Sequence, residues 1–394
     1  MKVAIIDADL IGRKNHRFPN LASMKISGWH KEQGDDVILK RNYSSLDNYD
    51  LVYISKVFTD TEINEEVLGF KNVRYGGTGF FYDKAEPLPY HIEHYMPDYH
   101  LYDDWVKERI VVGKEKPSKL TYYTDYSIGF LTRGCFRQCD FCVNRNKKMA
   151  VKGSPLEEFL DKERPKICLQ DDNFFACKDW RELLFNLKKS NKRFQFKQGL
   201  DERLLTEEKI HELFDCNTEG DLIFAFDNIH DKKIIEEKLT MIRTLYPNSK
   251  KALKFYTFVG FDRENKWDSD FWKQDIFDCF ERIRILMGYG CVPYITRFNR
   301  CQESPHKGMY INLARWCNQP SLFKKKSFRE FCTANGEDSA CYKYMIDFEL
   351  RYPSITTYFD LKYEEVFELE LKLKELIIEL KGLKKAYREL EIGR

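Results

Sequence analysis

Residues 129–142 read GFLTRGCFRQCDFC. The apolar lead-in SIGFLTR (127–133) predicts a strand, and Gly134 relieves crowding where that strand turns into a loop. The loop carries Cys135, Cys139 and Cys142, separated by three residues and then two, with the aromatic Phe141 directly before the last. Three close thiolates can hold three irons of a cubic [4Fe–4S] cluster and leave the fourth iron without a protein ligand. An open metal position separates a site that does chemistry from one that only holds a fold together. The competing reading is a zinc knuckle or a set of buried thiols. Zinc takes four ligands, however, and the next cysteine along the chain is the distant Cys168.

Outward from this loop, strand-like runs recur at KICLQDD (166–172), RFQFKQ (193–198), LIFAFD (222–227), KFYTFVG (254–260) and VPYITRF (292–298). Amphipathic helices fit between them. One carries Trp180, Leu183, Leu184 and Leu187 on one face; another carries Ile276, Phe280, Ile283 and Met287. Thr206, followed by Glu207 and Glu208, is a predicted helix cap. Six β/α units predict an open, partial barrel over 120–300, and such barrels collect their chemistry at the C-terminal ends of strands. Before it, short runs at 2–8, 36–40, 51–55 and 72–80, with a helix at about 20–33, predict a small Rossmann-like domain over 1–110. Residues 83–126, rich in Pro, Tyr and charge, read as a connecting segment. Residues 301–394 form an extension ending in a long helix. Its heptad seam of Val366, Leu369, Leu373, Leu376, Leu380, Leu383, Tyr387 and Leu390 is expected to pack on its own body rather than on a second copy.

The chain resembles the radical S-adenosylmethionine (radical SAM) superfamily, whose cluster loop is C-x3-C-x-aromatic-C. The resemblance implies a radical SAM barrel, a [4Fe–4S] cluster held by Cys135, Cys139 and Cys142, and S-adenosylmethionine chelated by the open iron. One electron then breaks a carbon–sulfur bond of that cofactor and starts radical chemistry on a substrate. The protein supplies binding, orientation and exclusion of water. By position, Phe141 shields the cluster edge near the adenine, and Asp171, Asp172 and Asn173 meet the methionyl amino group, where a carboxylate makes a charge-assisted bond. One of the two aspartates is also expected to cap the next helix. Gln198, Asp201 and Arg203 are assigned to ribose or carboxylate, Gly260 to the adenosyl group, Tyr294 and Arg297 to the same cavity, and Asp227 to cofactor or substrate. Arg133 and Arg137 put positive charge beside an anionic cluster.

The small domain before the cluster loop resembles the cobalamin-binding-type domain of one radical SAM subgroup. It lacks the D-x-H-x-x-G run that ligates cobalt, and His16 and His30 have the wrong neighbours, so a domain without cobalamin is expected. Cobalamin-assisted radical methyl transfer is the first alternative. A non-catalytic iron–sulfur electron carrier or redox sensor is the second, disfavoured because a carrier encloses its cluster with four ligands. Cys301, Cys317, Cys332 and Cys341 are more readily buried thiols than an auxiliary cluster. The run Lys324–Lys326 with Arg329 reads as a solvated face.

A formal charge of +2 gives no drive toward nucleic acid or anionic membrane. The N-terminus has the wrong charge pattern for a signal peptide, no run approaches a membrane span, and 12 dispersed cysteines do not form a disulfide framework. A soluble, cytoplasmic enzyme is expected, with an unknown substrate and an external one-electron reductant as its partners.

Overall fold

The computed structural model describes residues 1–392, with the side chains at 374, 375, 378, 381 and 384–392 outside the described set. The chain divides into two compact units: residues 1–198 with 216–219, and residues 199–215 with those from 220 onward. The boundary after Gln198 runs through the segment expected to be a single middle domain.

In the first unit, β1 (Lys2–Asp7), β2 (Asp36–Leu39), β3 (Leu51–Ser55) and β4 (Val73–Gly76) form an all-parallel sheet in the order β2-β1-β3-β4. The unbroken apolar run of β1 is that of a strand covered on both faces. Val3 and Ile5 enter a core with Leu21, Met24 and Ile26 of the helix Leu21–Glu32, whereas Ala4 and Ile6 enter a second core with Leu46, Val67 and Val73. Asn20 starts that helix, its side chain accepting from the Ser23 amide.

The same unit holds β5 (Tyr126–Gly129), β6 (Thr132–Arg133), β7 (Val151–Lys152), β8 (Lys166–Leu169) and β9 (Arg193–Phe196). β5, β8 and β9 are parallel and lie in chain order. β6 and β7 pair antiparallel, Thr132 opposite Lys152, and so close the base of the cysteine loop. The helix Trp180–Lys189 buries Trp180, Leu183, Leu184 and Leu187, the face its spacing predicts.

Residues 83–126 are not a mere connection. They contain the helices Tyr90–Glu93, Asp103–Val111 and Thr121–Thr124 and bury Tyr99, Tyr102 and Tyr123. A tyrosine-rich stretch looks polar in sequence, yet these rings pack inward, Tyr99 and Tyr102 with partners for their hydroxyls and Tyr123 with none among the described residues. The Tyr99 hydroxyl accepts from the Ile128 amide of β5 (2.8 Å) and donates to the Phe159 carbonyl (2.6 Å). The Tyr102 hydroxyl donates to Asp7 (2.8 Å).

In the second unit, β10 (Leu222–Ala225), β11 (Leu253–Val259) and β12 (Val292–Arg297) form another parallel sheet in chain order. The helix Ser269–Gly288 buries Ile276, Phe280, Ile283 and Met287, and the Thr206 side chain caps Glu207–Phe214 by accepting from the Lys209 amide. The later helices close a core around Trp316, Phe323, Phe328 and Phe359. The final helix, Tyr363–Ile392, departs from expectation. Among its described side chains, packing is confined to the first two turns: Tyr363 and Val366 join that core, and Glu370 lies 3.7 Å from Arg284. The leucines from Leu369 to Leu383 are exposed; Tyr387 and Leu390 of the seam lie outside the described residues. The chain is thus an α/β protein with parallel sheets. Among the described residues no helix is long and apolar enough to cross a membrane.

Replacing Tyr99 with Phe removes a hydroxyl that satisfies one buried donor and one buried acceptor. The expected loss is about 2 kcal/mol of unfolding free energy with an unchanged denaturant slope, measured by urea denaturation against wild type.

Candidate functional site

The cysteine loop leaves β6 through Gly134, which sits at φ +90° with its would-be Cβ position 2.5 Å from the Met149 carbonyl. Any side chain here would collide with the returning arm of the loop, so glycine is required. Cys135, Cys139 and Cys142 are half-buried, whereas the other nine cysteines are buried. The Arg137 amide donates to Cys135 Sγ (3.4 Å) and the Asn144 amide to Cys142 Sγ (3.4 Å). Among the described residues no three His, Cys, Asp or Glu side chains converge as a ready site for a single metal ion. Ligands to different corners of a cluster bind different irons and need not converge on one point.

The run after β8 grips this loop at three levels. Asp171 is buried; it accepts from the amides of Leu131 (3.2 Å) and Thr132 (2.6 Å) and from the Thr132 hydroxyl (2.7 Å). Burial pushes its carboxyl up to about 7 against the pull of these donors. Asp172 accepts from the Gly134 amide (2.7 Å) and from Asn144 Nδ2 (2.7 Å), bridging the residues on either side of the three cysteines. Asn173 directs Nδ2 at Cys135 Sγ (3.3 Å). The helix-capping expected of one aspartate is not found: both carboxylates face the cysteine loop, and Asp179 stands at the start of the next α-helix.

Residues from before β5 hold the outer arm. The Tyr82 hydroxyl donates to the Phe141 carbonyl (2.5 Å), and Asp83 accepts from Arg145 Nε (2.7 Å) and Asn146 Nδ2 (2.7 Å). Tyr82, Asp83 and Asn144 escaped the sequence reading. Asn144, two residues past Cys142, was the one within reach of a motif argument. Arg133 lies 3.3 Å over the Phe130 ring and pairs with Glu93 (3.0 Å), and Arg137 lies over Phe136.

Gln198 is exposed at the end of the first unit. The remaining expected residues belong to the second. Asp201 and Arg203 pair with each other (2.7 Å), and Arg203 also holds Asp231 (2.9 Å). Gly260 follows β11 at φ +81°, its would-be Cβ position 2.2 Å from Cys301 Sγ; its amide donates to Asp275 (2.8 Å). Tyr294 is exposed and meets Tyr256 edge to face at 5.6 Å, Arg297 is exposed, and Asp227 accepts from the Phe258 amide (2.9 Å). Two further groups shape these strand ends. Arg282 Nη1 donates to the carbonyls of Phe226, Asp227 and Phe258. Buried Glu202 accepts from the Ala225 amide through Oε2 (3.2 Å), while its Oε1 has no hydrogen-bond partner.

Cys301, Cys317, Cys332 and Cys341 are part of the apolar core, and desolvation raises all four thiols. Arg329 is held by Glu349 and Asp360 rather than solvated. In the N-terminal domain, His30 is buried with both ring nitrogens engaged, by Asp35 (2.7 Å) and the Tyr53 hydroxyl (3.1 Å). His16 lines an open cleft of about 470 Å³ with Arg13, Lys14, Arg17 and Phe58. Compared with known proteins, the chain has no significant match to a family model, to a curated protein or to a solved structure.

Two predictions follow from these contacts. Asp172→Ala frees both ends of the cysteine loop, so protection of the loop amides from hydrogen exchange is expected to fall while that of β8 is retained. Burial raises the Glu202 carboxyl to about 8, above its unfolded value. The proton it keeps on folding stabilises the protein fully at low pH, and that contribution is lost as pH rises toward 8. Urea midpoints measured from pH 5 to 8 are expected to fall less in Glu202→Gln, which keeps the acceptor for Ala225.

Proposed function

We propose that this protein is a radical SAM enzyme, in which Cys135, Cys139 and Cys142 hold a [4Fe–4S] cluster and S-adenosylmethionine is reductively cleaved to begin radical chemistry on an unidentified substrate. One observation carries the reading. Three half-buried thiols share a loop in which amide donors point at two of the sulfurs, and that loop is tied down by the end of the adjacent parallel strand. Such a donor set suits an anionic cluster, because N–H···S bonds spread sulfur charge and raise the reduction potential.

When bound, the cluster supplies the electron and the open coordination position. The chain does the rest. Asp172 and Asp171 hold the loop, Asn173 orients Cys135, and Phe141 is assigned to shield the cluster edge. With Asp171 and Asp172 committed to the loop, their expected role toward the methionyl amino group passes to whatever lone pairs their carboxylates retain. The proposal extends to the fold: β5, β8, β9 and β10, β11, β12 are taken as six strands of one open barrel. Each set is parallel and runs in chain order, as a barrel requires. The N-terminal sheet is read as a bare cobalamin-type domain, in keeping with the full engagement of His30. Cytoplasmic location belongs to the same proposal.

Anaerobic reconstitution followed by mass spectrometry tests it. Wild-type protein under a strong reductant is expected to yield 5′-deoxyadenosine and methionine, and Cys135→Ala, Cys139→Ala or Cys142→Ala to abolish both products. Reversible reduction without cleavage would instead identify a carrier or sensor. A tightly bound corrinoid with a methylated product would identify the methyltransferase.

A further inference from the structure

Among its described residues, the last helix packs on its own core for two turns and then presents an apolar stripe to solvent. Leu369, Leu373, Leu376, Leu380 and Leu383 are between 44% and 68% exposed, and Ile377, four residues after Leu373 and three before Leu380, flanks the same surface. Isolated exposed leucines need no explanation, but a contiguous stripe at heptad spacing does. At about 90 Å² of exposed apolar side chain each, the six residues present about 540 Å², toward the upper end of what a monomer ordinarily carries.

We infer that this stripe is a self-association surface and that a second copy of the chain covers it, the two helices running parallel. Three observations select that occupant. Apolar residues at alternating spacings of three and four make a two-helix seam, with Leu373 and Leu380 at one core position and Leu369, Leu376 and Leu383 at the other. Two such stripes brought together remove about 1,100 Å² from water, which clears the roughly 1,000 Å² that a specific interface needs. The flanking charges are self-complementary. In a parallel pair Glu379 of one copy stands opposite the position of Lys384 in the other, and the two-fold axis repeats this pairing. The one like-charged combination, Glu365 with Glu370, falls in the turns docked on the body, where Glu370 is turned toward Arg284.

Sedimentation equilibrium of the full chain from about 1 to 100 µM is expected to give a monomer–dimer equilibrium shifted toward dimer. Leu376→Lys with Leu383→Lys is expected to give a monomer with an unchanged thermal midpoint, since neither side chain contributes to the body's core. Glu379→Lys alone should weaken the dimer about tenfold, and Glu379→Lys with Lys384→Glu should restore it, because both symmetric pairs are first made repulsive and then reversed. A wild-type monomer at the highest concentration would overturn the inference. So would a leucine variant that stays dimeric, or a double charge reversal that restores nothing.

Discussion

The Asp172 carboxylate ties Gly134 to Asn144, and the candidate site depends on that bridge. A loop of this length with three thiols and no secondary structure of its own would wander. Here the two residues that flank the cysteines are fastened to one rigid strand end by charge-assisted hydrogen bonds. Asp171 fixes the approach of the chain and Asn173 fixes one sulfur, so three consecutive residues control three successive levels of the same loop. The antiparallel contact of β6 with β7 and the glycine at 134 complete the enclosure.

The strand ends of the second unit are built by a related device with different groups. Arg282 reaches from its helix to gather three carbonyls where β10 and β11 end, and Asp275 holds the Gly260 amide. In both units, side chains saturate the irregular backbone that follows a parallel strand. That backbone has left the ladder and would otherwise be unsatisfied.

Much of this was legible in the sequence. Every strand of the three parallel sheets was visible as a short apolar run, and the helix faces of Trp180–Leu187 and Ile276–Met287 followed from spacing alone. The cysteine loop and its glycine were readable because few residues can turn that corner. The partnerships were not. Asp171 and Asp172 read equally well as ligands, caps or clamps, since a carboxylate's role depends on which donors a distant part of the chain delivers. Tyr99 and Tyr102 looked like linker residues because their polar tips conceal how much ring they bury. The final helix failed in the opposite direction: its pattern predicts a buried seam but says nothing about whose surface buries it.

A loop anchored by carboxylates, tyrosine and backbone pairing owes its shape to the polypeptide. Zinc fingers and many small metalloproteins gain their folding free energy from the metal and collapse when a chelator takes it away. The polar groups that shape residues 134–146 are instead satisfied by the chain: Asp172 and Asp83 accept from their donors, and Tyr82 donates to the Phe141 carbonyl. The shape of the loop is therefore set by the chain itself and does not wait for the group that the proposed function would place there.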